Sequence, residues 1–167
     1  RSTSYSICGV SYTEEGFPHT WFPFLSSKVV GIRVMDICKN DINRGLYQLA
    51  HEIIHCLCPH REINANVFEE GLATHFAAEY MDEYEKQPDW HPAETDYKYV
   101  LALKCIKKAF EIDPNIATKL VAKERNFVNI TENMILEVSP KLPRDLAKIL
   151  TTDFYDDSWI ELANKIE

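Results

Sequence analysis

One short stretch of the sequence, residues 51–55, combines residue types at a spacing that can do metal chemistry. It contains His-Glu-Ile-Ile-His, an H-E-x-x-H pattern. On an α-helix, residues four apart lie on the same face, so the imidazoles of His51 and His55 can point at one ion. Zinc suits imidazole ligands in a tetrahedral arrangement, and a catalytic zinc keeps one position open for water. Glu52 stands beside the pair, where a carboxylate can act as the general base on that metal-bound water.

The residues around the two histidines are mostly apolar: Leu46, Leu49, Ala50, Ile53, Ile54 and Leu57. This composition predicts a buried helix rather than an exposed helix with two surface histidines. Burying two imidazoles and a carboxylate without partners costs free energy, so the stretch favours a bound ion.

A catalytic zinc needs a third protein ligand. The metzincin pattern would place a glycine at Cys58 and a histidine at Arg61, so the sequence does not fit it. The residues from Asn66 to Glu69 instead form a capping box, with Asn66 as the N-cap and Glu69 reaching back to its amide. Glu70 is then available to the metal, and the small and apolar residues after it would let its helix pack close to a neighbour.

The H-E-x-x-H pattern, followed at residues 70–74 by Glu-Gly-Leu-Ala-Thr, resembles the gluzincin zinc peptidases. It is most similar to their aminopeptidase-type branch, whose glutamate helix carries an E-G-F-A-S/T string. The resemblance implies that His51, His55 and Glu70 hold one zinc ion and that Glu52 is the general base. It also implies that the Thr74 hydroxyl supports a ligand histidine.

The resemblance covers roughly residues 41–85, about a quarter of the chain, and departs from that branch in two ways. Only 14 residues separate His55 from Glu70 (70 − 55 − 1), a shorter gap than is usual there. No G-x-M-E-N string precedes the histidine helix, so the device that holds a substrate amino terminus is not supported. The resemblance therefore implies gluzincin chemistry, with a peptide or protein as substrate, rather than aminopeptidase specificity.

Gluzincins place a Tyr or His beside the metal to stabilise the oxyanion. The candidates for this donor are Tyr97, Tyr99, His91 and His75, and no motif distinguishes them. His75, on the glutamate helix, would face away from Glu70 by about 140° and is expected at the surface or behind the ligands.

Length and composition predict one globular domain, residues 1–167, with apolar and charged fractions of 46% and 26%. The net charge of −8 argues against a nucleic-acid partner. No apolar run approaches 18 residues, so we expect no membrane span. The chain begins with Arg1 rather than Met and shows no signal-peptide pattern, so we expect a processed or truncated product and a cytoplasmic location.

Five cysteines, an odd number, do not form a disulfide framework. Cys8, Cys38 and Cys105 have apolar neighbours, and we expect buried thiols there. Cys56 and Cys58 lie beside histidines and could bind a soft metal in a different way. A C-x-C pair at a helix end directs its sulfurs to nearly opposite sides, which disfavours that alternative.

The order of elements predicts an α+β, zincin-like fold, with a small N-terminal β-sheet lobe followed by a mainly helical C-terminal lobe. Strands are expected at residues 5–12 and 28–37, with a loop at 14–23 between them. Asn40 or Asp41 would cap the histidine helix, which runs to about residue 56. Further helices are expected at 67–85, 95–112 with Thr95 as cap, 116–123, 133–138, 144–152 opened by Pro143, and 159–166 capped by Ser158.

Two functions fit this sequence. The first is a zinc peptidase. The second is a non-catalytic zincin-like domain whose metal is structural or serves a sensor or partner-docking role. Glu52 favours the enzyme, because a purely structural zinc needs no carboxylate between its histidines.

Overall fold

A computed structural model describes residues 5–24, 27–60, 64–87 and 96–166. These residues form an α+β fold, as predicted, with a three-stranded sheet at the amino-terminal end followed by helices. The strands are β1 (Ser6–Thr13), β2 (His19–Trp21) and β3 (Val29–Met35). The α-helices are α1 (Ile42–His55), α2 (Val67–Glu83), α3 (Tyr97–Ile112), α4 (Ile116–Lys123), α5 (Glu132–Val138), α6 (Arg144–Thr151) and α7 (Ile160–Ala163).

Contacts divide the chain into two compact units. The first comprises Arg1–Arg61 and Phe76–Pro92, and the second Glu62–His75 and Ala93–Glu167. Helix α2 contributes its first half to the second unit and its second half to the first. The expectation of a single domain stays a prediction. Within the described ranges, no helix combines the length and the apolar character needed to span a membrane.

In the first unit, β3 is the central strand, parallel to β1 and antiparallel to β2. It is rich in β-branched residues, and Val30, Ile32 and Val34 are buried. Ile32 and Val34 form a core cluster with Cys38, against which Leu49 and Cys56 of the α1 segment pack. This packing buries one side of α1, although two residues of the stretch predicted to be buried, Ile53 and Leu57, are 38% and 62% exposed.

Two expectations about the sheet are wrong. Strand β1 exists, but only its last residue is buried, because β1 lies at the edge of the sheet and α1 packs against β3. Cys8 on β1 is therefore exposed rather than buried, whereas Cys38 and Cys105 are buried as expected. The predicted loop at 14–23 contains β2, a three-residue strand whose pairing with β3 is a long-range contact that local composition does not reveal.

The amino terminus and one flank of α1 are fixed by side-chain hydrogen bonds. Asp41 is the N-cap, one of the two predicted candidates, and its side chain accepts a hydrogen bond from the Arg44 amide at 3.0 Å. The Gln48 side-chain oxygen accepts from the Met35 amide at 2.9 Å and from the Cys38 thiol at 3.2 Å. Because Gln48 is buried, these bonds tie the middle of α1 to the end of β3.

In the second unit, Asn66 begins α2 as the capping box predicts. Its side-chain oxygen accepts from the Glu69 amide at 2.9 Å, and its side-chain amide donates to the Phe127 carbonyl at 2.8 Å. Farther along α2, a methyl group placed on Gly71 would lie 2.7 Å from the Ala102 carbonyl oxygen of α3. Helix α2 therefore approaches α3 closely at this point, and the absence of a side chain at Gly71 permits it.

The later helices follow the sequence closely, apart from their caps. Asp96 caps α3, and the predicted cap Thr95 lies outside the described residues. Pro143 is the N-cap of α6 rather than its first helical residue. Ser158 lies inside a 3₁₀ turn, where its amide donates to the Asp156 side chain, so Ser158 does not cap the last helix. An aspartate carboxylate accepts such a bond at least as well as a serine hydroxyl, and here it begins the turn two residues earlier.

Candidate metal centre

The histidine pair lies on the last turns of α1. His51 is buried, with 7% of its surface exposed, and His55 is half-buried. Their ring centroids are 5.2 Å apart and the ring planes are inclined by 56°. The i, i+4 spacing therefore places two imidazoles side by side, as the sequence predicts.

The third member of the site comes from the first turn of α2. Glu70 lies four residues after the Asn66 cap and is 6% exposed. One ligand atom from each of His51, His55 and Glu70 can be chosen so that all three lie within 4.8 Å of one another. This convergence confirms that the residues predicted as ligands form a group that can hold a metal ion.

The spacing of the three atoms decides how well they fit an ion. Three points within 4.8 Å of one another always have a common point no more than about 2.8 Å from each. Zinc–nitrogen and zinc–oxygen bonds are about 2.0–2.2 Å long, so closing the set needs ligand movements of about 0.7 Å or less. Rotations about side-chain bonds supply movements of that size.

The types of ligand atom indicate which class of metal ion the group can bind, although not which metal. Two imidazole nitrogens and one carboxylate oxygen are a ligand set of catalytic zinc sites, and a similar trio binds iron(II) in oxygenases. Three protein ligands leave coordination positions for water or substrate. The group can therefore hold a divalent transition metal in an open site.

Glu52 lies next to His51 on α1 and is 4% exposed. Burial raises the pKa of the Cys56 thiol to about 11, and the negative charge of the Glu52 carboxylate makes a smaller contribution in the same direction. Among the described residues, the one group of three or more candidate ligands contains neither Cys56 nor Cys58, which disfavours the alternative soft-metal site.

The supporting residues proposed from the resemblance have the following contacts. The buried Thr74 hydroxyl donates to the Glu70 carbonyl at 2.8 Å, so it lies one turn from a ligand on the same helix. The Tyr97 hydroxyl donates to the Asn164 side chain at 2.6 Å, and the Tyr99 ring packs on Phe154 with centroids 4.9 Å apart. The roles predicted for Thr74 and the two tyrosines stay predictions.

Two histidines outside the ligand pair, His91 and His75, are also candidates for the oxyanion donor. His91 lies outside the described residues. The His75 ring packs against Phe110 of α3, with centroids 5.0 Å apart, and is half-buried.

One residue that positions the site was missed in the sequence. Gln48 lies three residues before His51, one helical turn away, and holds α1 against β3. A polar residue within an apolar helical stretch is the signal that could have identified it, because a buried amide needs partners.

Comparison of the chain with protein-family models, with curated proteins and with solved structures found no match in any of the three. The assignment of function therefore depends on the residues and their geometry.

Proposed function

We propose that this chain is a zinc-dependent peptidase of the gluzincin type. His51, His55 and Glu70 hold one zinc ion, and Glu52 is the general base. The observation that carries the proposal is the convergence of these three ligand atoms within 4.8 Å. The buried carboxylate of Glu52, directly beside one ligand, is the second feature that supports catalysis over binding alone.

Zinc, when bound, lowers the pKa of a coordinated water from 15.7 to about 7 and polarises a substrate carbonyl. The chain supplies the proton transfers. Glu52 takes a proton from the attacking water at its carboxylate oxygen and later gives it to the nitrogen of the leaving amine. Burial of Glu52 suits this cycle, because a carboxylate removed from bulk water accepts a proton more readily than an exposed one.

The test compares the wild type with Glu52→Gln, which keeps the shape of the side chain and removes its basicity. Each protein is loaded with zinc, freed of excess metal and measured for bound zinc and for cleavage of a peptide library. We expect about one zinc per chain in both. We also expect cleavage to fall by about 10²–10⁴-fold in the variant, the usual contribution of general acid–base catalysis.

Glu83→Gln provides a matched control, because Glu83 is an exposed glutamate at the end of α2. It should bind zinc and cleave peptides as the wild type does. Full activity of Glu52→Gln would refute the mechanism. If all three proteins bind one zinc per chain and none cleaves any peptide, the chain is a non-catalytic metal-binding domain rather than a peptidase.

Binding of the metal is tested separately from catalysis. A ligand that binds only the folded state raises the free energy of unfolding by about 2.7 kcal/mol when its concentration is 100 times its Kd. Zinc should therefore raise the Tm of the wild type and of Glu52→Gln, and His55→Ala should lose most of that rise. An unchanged wild-type Tm at saturating zinc would contradict the site itself.

A further inference from the structure

A shallow groove of about 390 Å³ runs along α3 in the second unit. Its lining residues recur at helical spacing along one face: Val100, Leu103, Lys104, Lys107, Lys108 and Glu111. Ile166, near the carboxyl end of the chain, completes the wall. The twelve residues from Val100 to Glu111 span about 16 Å along the helix axis.

The middle of this groove is basic, although the chain as a whole carries a net charge of −8. The lining contains three lysines and one glutamate. Lys108 pairs with Glu111, with 3.5 Å between the ammonium nitrogen and a carboxylate oxygen. Within the described part of the chain, Lys104 and Lys107 form no ion pair with an acidic side chain. Among the described residues, two lysines on this face therefore have no acidic partner.

The end of the groove nearest the start of α3 is apolar. Val100 is 37% exposed, and Leu103 beside it is buried. Ile166, in the same lining, is half-buried. The partly exposed Val100 therefore lies beside positive charge, and this arrangement is complementary to an apolar side chain next to negative charge.

We propose that this groove binds an acidic peptide segment that carries an apolar side chain beside two carboxylates. The two carboxylates pair with Lys104 and Lys107, and the apolar side chain covers the exposed part of Val100. A length of about 16 Å accommodates about five residues of extended peptide at about 3.3 Å each.

The charges and dimensions favour a peptide over the other anionic molecules. A single-chain fatty acid carries one carboxylate and would neutralise one of the two lysines. Anionic membranes are recognised by clusters of about four to eight basic residues, more than the three found here. The groove uses neither the proposed metal ligands nor Glu52, so this proposal and the peptidase can fail independently.

The test is a titration of the full ¹⁵N-labelled chain with an unlabelled peptide, two Leu-Glu-Glu repeats flanked by glycines, followed by NMR. We expect shifts centred on residues 100–111 and 166, with a Kd of about 100 μM or tighter in 20 mM NaCl, as for a small transient interface. Salt at 0.5 M should weaken binding at least about tenfold, because it screens exposed charges. A peptide with Gln in place of Glu should bind at least about tenfold more weakly.

The variant Lys104→Glu with Lys107→Glu should weaken binding at least about tenfold. Both side chains are exposed, so the fold should be retained, and its Tm and zinc content should match the wild type. Lys141→Glu is the matched control, an exposed lysine outside the lining, and should change the Kd less than about twofold. Glu52→Gln should bind the peptide as the wild type does.

Three results would overturn the proposal. One is an unchanged Kd in the double variant, and another is equal binding of the Glu and Gln peptides. The third is displacement of the peptide by phosphatidylserine vesicles that bind the groove more tightly, which would assign this surface to a membrane instead.

Discussion

Replacing Gly71 by alanine should destabilise the protein, although the same change stabilises most helices. Gly71 follows Glu70 directly, at the point where α2 approaches α3. The added methyl carbon would lie 2.7 Å from the Ala102 carbonyl oxygen and 3.3 Å from the Ile106 Cβ. The oxygen belongs to a helix backbone and cannot rotate away, so the two helices must separate by about 0.7 Å to restore an ordinary contact of 3.4 Å.

The size of the effect follows from two opposing contributions. Alanine is favoured over glycine in a helix interior by about 1 kcal/mol. Forcing an extra methyl group into a packed core costs about 1–3 kcal/mol, and a rigid backbone neighbour places Gly71 at the upper end. A gap of 0.5–1 Å elsewhere along the contact forfeits a quarter to a half of the van der Waals attraction there. We therefore expect Gly71→Ala to lower the free energy of unfolding by about 2 kcal/mol.

Gly45→Ala provides the matched control within the same chain. Gly45 is also helical, in α1, but its added methyl carbon would lie 3.4 Å from the Cys38 Cβ, an ordinary contact. Only the helix propensity then changes, so Gly45→Ala should raise the free energy of unfolding by up to about 1 kcal/mol. The two variants should differ by about 3 kcal/mol.

Urea unfolding followed by circular dichroism measures this difference. With a slope of about 2 kcal/mol per molar urea, the Gly71→Ala midpoint should fall by about 1 M and the Gly45→Ala midpoint should rise by up to about 0.5 M. Equal midpoints for the two variants, or a Gly71→Ala midpoint above that of the wild type, would show that α2 and α3 do not approach as closely as described.

Three further predictions concern a cap, two thiols and a carboxylate. Asn66→Ala should lower the free energy of unfolding by about 1–3 kcal/mol in urea, because it removes the α2 cap and one of the two hydrogen bonds that the Phe127 carbonyl accepts, leaving only that from the Ile130 amide; a loss under about 0.5 kcal/mol would contradict both contacts. At pH 8, a thiol reagent followed by mass spectrometry should modify the exposed Cys8 quickly and Cys105 only on unfolding, because burial raises the Cys105 pKa to about 12; equal rates would refute this. A hydrogen bond from a lysine ammonium lowers the pKa of Asp113, so the stability it contributes is present above its ordinary pKa and is lost as the pH falls through the lowered value. Asp113→Asn should therefore reduce the change in the urea midpoint between pH 5 and pH 2, and an unchanged pH profile would exclude that contribution.

The sequence predicted the candidate site well because each ligand depends on local rules. The distance between His51 and His55 follows from helix geometry once α1 is recognised by its apolar stripe. The start of α2 at Val67 follows from the Asn66 cap, whose hydrogen bond to the Glu69 amide is local. These short-range features fixed the helices and the ligand atoms that they present.

Two of the errors concern contacts between residues far apart in sequence. An alternating strand pattern shows that β1 is extended but does not show which faces are covered, so the exposure of Cys8 was missed. Strand β2 has only three residues and is defined by its pairing with β3. The third error is local. Asp156, not Ser158, caps the turn that begins the last helical region, and the local sequence contains both acceptable caps without indicating which is used.

The position of Glu70 depends on how α2 begins and on how closely α2 packs, and both restrict which residues can flank Glu70. Glu70 must be presented by the first turn of a helix, which the Asn66 cap begins, and that helix must pack tightly on α3, which Gly71 allows. The cap and the glycine flank the ligand within six residues. A Gly at position 71 is therefore better explained by packing against the Ala102 carbonyl than by contact with a metal or a substrate. The same reasoning separates the two kinds of residue in the Glu-Gly-Leu-Ala-Thr string: Glu70 is proposed to act on the metal, while Gly71 acts on the fold that presents it.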